Sequence, residues 1–220
     1  MSLKAVFFDL DGTLLDTAPN FVIAMNKMLA RRDRAPIAEQ ALRAVVSDGA
    51  NAMLQLVFGT TPDDAEFPAL RQEFLDCYLE DLASVTTAYP GIDSLIGELA
   101  ARGVAWGIVT NKPATYAEPL MTFFDFASEP SALICPDHVT ERKPAPDALL
   151  LACEQTGCSP DQAIYVGDHQ RDIECGINAG MPTVAVGYGY IHTNDSHTCW
   201  NADHTVESAN EIWPIVHRYL

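Results

Sequence analysis

Asp9 and Asp11 stand two residues apart directly after a largely apolar stretch at residues 3–8, followed by Gly12 and Thr13. If that stretch is a buried strand, both carboxylates sit where it leaves the core, and unpaired charge is costly there. A carboxylate pair persists in such a place with a cation or a shared proton, so the spacing implies a bound metal. Gly12 lets the backbone turn sharply. Asp-x-Asp alone also fits an ordinary polar turn, and three further segments change the balance. The apolar run 104–109 ends in Thr110-Asn111-Lys112, bringing a hydroxyl and backbone N–H groups to a second strand end. Arg142-Lys143-Pro144 places a cation ahead of a helix-like run from Asp147. Ile164-Tyr165-Val166-Gly167-Asp168 reads as a third buried strand ending in a carboxylate, with Asp172 four residues on.

In this order the four segments resemble the four motifs of the haloacid dehalogenase superfamily in its phosphatase form, across residues 5–189. The resemblance implies a Mg²⁺-dependent phosphoric monoester hydrolase. Asp9 is then the nucleophile that carries an aspartyl-phosphate, and Asp11 the general acid and later base. Asp9, the Asp11 carbonyl and Asp168 would hold the metal. Thr110, Lys143 and the backbone around Gly12 and Asn111 would bind the phosphoryl oxygens, and Asp172 would orient the metal's water or Lys143. Asp11 also separates reaction classes. A halide leaves without a proton, and the dehalogenases of the superfamily lack this second Asp. A sugar-phosphate mutase, sharing all four motifs, is the weaker enzymatic alternative. A receiver-like phospho-Asp signalling module would need about half this length and a phosphoacceptor on a middle strand. A dinucleotide-binding module is disfavoured because Gly187-x-Gly189 lacks a third glycine.

The bulk numbers agree with a small anionic substrate only if the charge is reversed locally. With 13 Lys+Arg against 30 Asp+Glu, the formal net charge of −17 opposes nucleic acid and anionic membrane surfaces as partners. A phosphorylated metabolite would be repelled at long range, which gives a metal and Lys143 their importance. No apolar run suits a membrane span or a signal-peptide core, so a cytoplasmic protein is expected. The six cysteines show no C-x-x-C pair and disulfides are not expected. His192, His197, Cys199 and His204 read as a polar loop, not a zinc cluster.

The elements that must position these residues follow from hydrophobic patterning. Short apolar runs at 4–8, 104–109, 132–135, 163–166 and 183–186 alternate with helical stretches at 92–102, 116–124, 147–156 and 171–179. This predicts an α/β fold, a doubly wound Rossmann-like parallel sheet. In the superfamily's strand order the first strand lies beside the fourth, bringing Asp9, Asp11 and Asp168 together. Residues 16–87 have no convincing strand. Phe21, Met25, Met28 and Leu29, then Met53, Leu56 and Val57, then Phe74, Cys77, Tyr78 and Leu82 recur at helical spacing. The expected organisation is a core at 1–15 and 88–220, with an all-helical cap at 16–87 inserted after the first strand, as in capped members of the superfamily.

Within the superfamily, Asp16-Thr17-Ala18-Pro19, Thr110-Asn111-Lys112-Pro113 and Gly187-Tyr188-Gly189-Tyr190 resemble the phosphoglycolate phosphatases, which makes 2-phosphoglycolate the first expectation. Residues 142–147, 167–176 and Trp200-Asn201-Ala202-Asp203 also resemble the related N-acetylmuramic acid 6-phosphate phosphatases, giving the second. Both substrates carry a carboxylate, so the cap should offer a cation or N–H groups. Ser47 and Gly49, at a loop entering a helix, and Arg43 one turn earlier are the candidates.

Overall fold

The computed structural model describes residues 2–220. The first half of the chain forms β1 (Ala5–Phe8), β2 (Leu15–Asp16), α1 (Ala18–Ala30), α2 (Glu39–Arg43), α3 (Gly49–Phe58), α4 (Phe67–Glu80) and β3 (Thr87–Ala88). There follow α5 (Ile92–Ala101), β4 (Ala105–Val109), α6 (Ala114–Met121), β5 (Ala132–Ile134) and α7 (Asp147–Thr156). The last elements are β6 (Ala163–Gly167), α8 (Gln170–Ala179), β7 (Thr183–Val186), β8 (His204–Val206) and α9 (Ile212–Val216). Two compact units result, Met1–Leu15 with Ala88–Leu220, and Asp16–Thr87.

In the larger unit a six-stranded sheet runs in the order β5-β4-β1-β6-β7-β8, with every pair parallel. Ala5, Val6, Phe7 and Phe8 are all buried, as a central parallel strand covered on both faces requires. Phe7 and Tyr165 pack with Leu149, Ala152 and Cys153 of α7, and Ile173 of α8 packs with Ala185 and Trp200. Phe8 is in register with Ile108 on one side and Val166 on the other. The chain winds outward from β1 through β4 to β5, then returns past β1 to β6. Strand order therefore reverses at β1, and the carboxyl ends flanking that reversal are where an open α/β sheet binds ligands.

The strands agree with the expected runs to within one residue, and four other features differ from expectation. The strand β8 lies in the segment expected to be a polar loop; it pairs only with β7, through Val184↔His204 to Val186↔Val206, and an edge strand needs no apolar run. Helix α6 ends at Met121 instead of residue 124, leaving Phe123 66% exposed. In the smaller unit α2 has only five residues and too little periodicity to be read. Leu56, expected in a helical core, is 49% exposed, while α3 buries Met53 and Leu54.

The smaller unit has its own core. Phe21 of α1 stacks on Tyr78 of α4 at 4.3 Å and meets Phe74 at 6.2 Å, with Met25 and Met28 buried beside them. Buried Asn20 ties the start of α1 to the end of the unit. Its carbonyl oxygen accepts from Thr86 Oγ1 at 2.6 Å and its amide donates to Ser84 Oγ at 3.0 Å and to the Asp81 carbonyl. No helix among the described residues is long and apolar enough to cross a membrane.

Candidate active site

Chemistry gathers at the carboxyl ends of β1, β4 and β6. Asp9 follows β1, and its N–H continues the ladder by donating to the Val166 carbonyl at 2.9 Å. Lys143, in the loop before α7, is almost wholly buried, and its ammonium is surrounded by acceptors. These are Asp172 Oδ1 at 2.7 Å, Asp9 Oδ1 at 2.8 Å, the Tyr165 hydroxyl at 2.9 Å and the Val109 carbonyl at 3.1 Å. Tyr165 in turn donates to the Val109 carbonyl at 2.8 Å. Asp172, in the first turn of α8, also accepts from the His169 N–H at 3.1 Å, so one carboxylate caps the helix and anchors the amine.

Asp168 is held by groups from two other loops. One oxygen accepts from Thr13 Oγ1 at 2.9 Å and the other from the Tyr190 N–H at 2.8 Å. Two glycines make room for it. At Gly12, with φ +90°, an added Cβ would lie 2.2 Å from Asp168 Oδ2; at Gly189 it would lie 2.3 Å from the Asp168 Cβ. The segment 187–190, which carried only a family signature in the sequence, therefore helps build the site. Tyr188 closes it further by donating to the Thr13 carbonyl at 3.0 Å.

Carboxylate oxygens of Asp9, Asp168 and Asp172 all lie within 4.8 Å of one another, in a buried cluster. Burial pushes the Asp9 carboxyl up to about 6; Lys143 opposes this, while Asp172 and Asp11 add to it. Burial likewise raises Asp168 well above the carboxylate range, with Asp9 and Asp172 contributing. For Lys143 burial works against the charge, but Asp172 and Asp9 outweigh it and hold the amine above its ordinary value. Of the three acids, Asp9 and Asp172 contact the Lys143 ammonium, and Asp168 is held by Thr13 and the Tyr190 N–H instead. An all-oxygen donor set with excess negative charge fits a hard divalent cation. Of the expected metal ligands, the Asp9 and Asp168 carboxylates lie in this cluster, Asp172 joins them, and the third is the Asp11 backbone carbonyl; the Asp11 carboxylate is paired with Lys112.

The remaining expected residues have definite positions. Lys112 Nζ lies 2.9 and 3.3 Å from the two Asp11 oxygens, and the Lys112 N–H donates to Thr110 Oγ1 at 3.1 Å. The Thr110 N–H is engaged with the Ile134 carbonyl at 3.0 Å, so its hydroxyl proton is what it can offer a ligand. The Asn111 amide donates to the Lys143 carbonyl at 3.2 Å and fixes the loop that carries the amine. Gly12, expected to bind substrate, instead donates its N–H to the Leu15 carbonyl at 2.9 Å, and its place is in the turn. A cleft of about 860 Å³ adjoins the cluster, lined by Asn111, Arg142, Lys143, His169, Arg171 and Glu174 among others.

The three cap candidates lie in the smaller unit. Arg43, expected to meet a substrate carboxylate, is paired with Asp16 at 2.8 and 2.9 Å and approaches Glu39 at 3.5 Å. Ser47 Oγ is buried without a hydrogen-bond partner. Gly49 enters α3 at φ +80°. Sequence reasoning gave no role to Lys112, Tyr165 or Thr13, because an amine, a phenol and a hydroxyl near a strand end look like ordinary solvated or packed groups.

The chain matches the haloacid dehalogenase-like hydrolase family over residues 6–186. It is 47% identical over 220 residues, 100% of this chain and 97% of the relative, to an N-acetylmuramic acid 6-phosphate phosphatase of Pseudomonas aeruginosa. It is 39% identical over 216 residues, 96% of this chain and 94% of the relative, to a phosphoglycolate phosphatase of Xylella fastidiosa. A solved structure described as a predicted phosphoglycolate phosphatase from Haemophilus somnus aligns with a TM-score of 0.85 at 26% identity, covering 98% of each chain. The family match spans β1 to β7 and includes Asp9, Asp11, Thr110, Lys143, Asp168 and Asp172, so the chain belongs to the haloacid dehalogenase-like hydrolases, as one of their phosphomonoester hydrolases.

Proposed function

We propose that the protein hydrolyses N-acetylmuramic acid 6-phosphate through an aspartyl-phosphate on Asp9. The observation that carries this reading is 47% identity over the whole chain to a relative of that name, against 39% for a relative named phosphoglycolate phosphatase. The order of the two substrates expected from sequence is thereby reversed. 2-Phosphoglycolate remains the second reading, supported by the latter relative.

In the proposed reaction an Asp9 oxygen forms a bond to phosphorus as the bond to the sugar oxygen breaks, and Asp11 gives that oxygen its proton. Water then attacks the aspartyl-phosphate, Asp11 takes the water's proton, and inorganic phosphate leaves. Lys143 holds Asp9 in one orientation at 2.8 Å and supplies positive charge where the phosphoryl group arrives. Thr110 offers its hydroxyl proton to a phosphoryl oxygen. Mg²⁺, held by Asp9 and Asp168, would neutralise charge on the carboxylates and the phosphoryl group. The helical unit at residues 16–87 is assigned to substrate selection, the role of a cap in this family.

A steady-state panel tests the reading: N-acetylmuramic acid 6-phosphate, N-acetylglucosamine 6-phosphate, 2-phosphoglycolate and p-nitrophenyl phosphate, each with Mg²⁺, ranked by kcat/KM. The first should lead. A lead for 2-phosphoglycolate would favour the second reading, and a lead for N-acetylglucosamine 6-phosphate, which lacks the lactyl ether and its carboxylate, would overturn the carboxylate requirement.

A further inference from the structure

Lys112 takes no part in the reaction as proposed, yet it is one of two lysines buried at the site. Its side chain is 5% exposed and its ammonium spans both oxygens of Asp11, at 2.9 and 3.3 Å. Its own N–H is fixed on Thr110 Oγ1 at 3.1 Å, so the backbone that carries the amine is anchored at the end of β4. Burying an ammonium is unfavourable unless its partner is well placed, and this one grips the residue on which protonation of the leaving group depends. Asp11 also has competing attractions. The Asp9, Asp168 and Asp172 cluster lies close enough for Asp11 to raise the Asp9 carboxyl, and a cation bound there would draw a loose carboxylate toward it.

We propose that Lys112 is the positioning residue for Asp11: the ammonium holds the carboxylate on the leaving-group side and keeps it from turning into the metal cluster. The proposal rests on the reading of Asp11 as general acid and base. Hydrolysis of the aspartyl-phosphate is common to all substrates, so removing the grip should separate them in kcat/KM, which is set by the step that expels the leaving group, and only where the leaving oxygen needs a proton. An alkyl phosphate such as a sugar 6-phosphate needs one, whereas p-nitrophenolate departs without it.

The test compares Lys112→Met, Lys112→Arg and Asp11→Asn on a sugar 6-phosphate and on p-nitrophenyl phosphate, with circular dichroism to verify folding. Lys112→Met should lower kcat/KM on the sugar phosphate roughly ten- to hundredfold and on the aryl phosphate less than about threefold, and Lys112→Arg should recover most of the loss. Asp11→Asn should show the same leaving-group bias, only larger. If Asp11→Asn is biased and Lys112→Met slows both substrates equally, the positioning role is overturned while the acid survives. If Asp11→Asn itself slows both equally, the general-acid reading falls. Should Lys112→Met fail to fold, Lys112→Gln is read in its place by the same criterion.

Discussion

Asp9 sits where the protein opposes its charge, since burial raises its carboxyl from 3.8 to about 6 despite a lysine at 2.8 Å. A carboxyl raised in the folded state binds more protons folded than unfolded, so stability falls as pH rises between these two values. Asp9→Asn should therefore be more stable than the wild type in chelator above about pH 6, with the difference shrinking toward pH 3.8. Thermal unfolding of both proteins across that window measures it. A difference that does not vary with pH would mean that Asp9 is not held against its charge. The same variant should have no measurable turnover, because an amide is a poor nucleophile. At this scale the sequence was informative wherever a carboxylate followed an apolar strand, since no other place for it is as costly. Lys112 was illegible for the opposite reason: a lysine beyond a strand end is ordinarily solvated, and only the fold reveals that it is buried against Asp11.

Elements decide whether those residues meet, and the turn after β1 does so within very little space. Gly12 combines a φ of +90° with a position where a Cβ would fall 2.2 Å from Asp168 Oδ2, so Gly12→Ala must displace the carboxylate or the turn. We expect it to weaken Mg²⁺ binding, read by calorimetry on the folded protein, and to lower kcat on every substrate alike; unchanged metal affinity would show that the turn can relax. Arg43, at the end of α2, carries the opposite expectation. Its partly exposed pair with Asp16 should contribute on the order of 1 kcal/mol to stability. Arg43→Ala should lose about that much in denaturant unfolding and leave the ratio of N-acetylmuramic acid 6-phosphate to N-acetylglucosamine 6-phosphate turnover unchanged. A selective loss on the carboxylate substrate would return Arg43 to substrate binding. The buried strands were legible because both sheet faces are covered and the runs are continuous. Neither β8 nor α2 was, one being a polar edge strand of three residues and the other a single turn and a half.

For the molecule as a whole, the net charge of −17 bears most directly on selectivity. A substrate carrying a carboxylate as well as a phosphate is repelled more strongly at long range than one with phosphate alone. Preference for the extra charge must then come from a local contact strong enough to overcome that field, a cation or a set of N–H donors reached only when the substrate is seated. In the proposed reaction the four motif segments cannot supply this preference, because there they meet the phosphoryl group that every phosphomonoester shares. Identity of 47% over the whole chain includes the 72 residues of the smaller unit, Asp16–Thr87, where such a contact is free to differ between relatives. One charge-assisted contact formed away from water should be worth about 2–3 kcal/mol, roughly 30- to 150-fold in kcat/KM. N-acetylmuramic acid 6-phosphate should exceed N-acetylglucosamine 6-phosphate by that factor, since the two differ by the lactyl ether that bears the carboxylate. The preference should persist at moderate salt, because a desolvated pair is screened far less than the long-range repulsion. A ratio near one would mean that nothing in the protein reads the carboxylate, whatever the phosphoryl chemistry at Asp9.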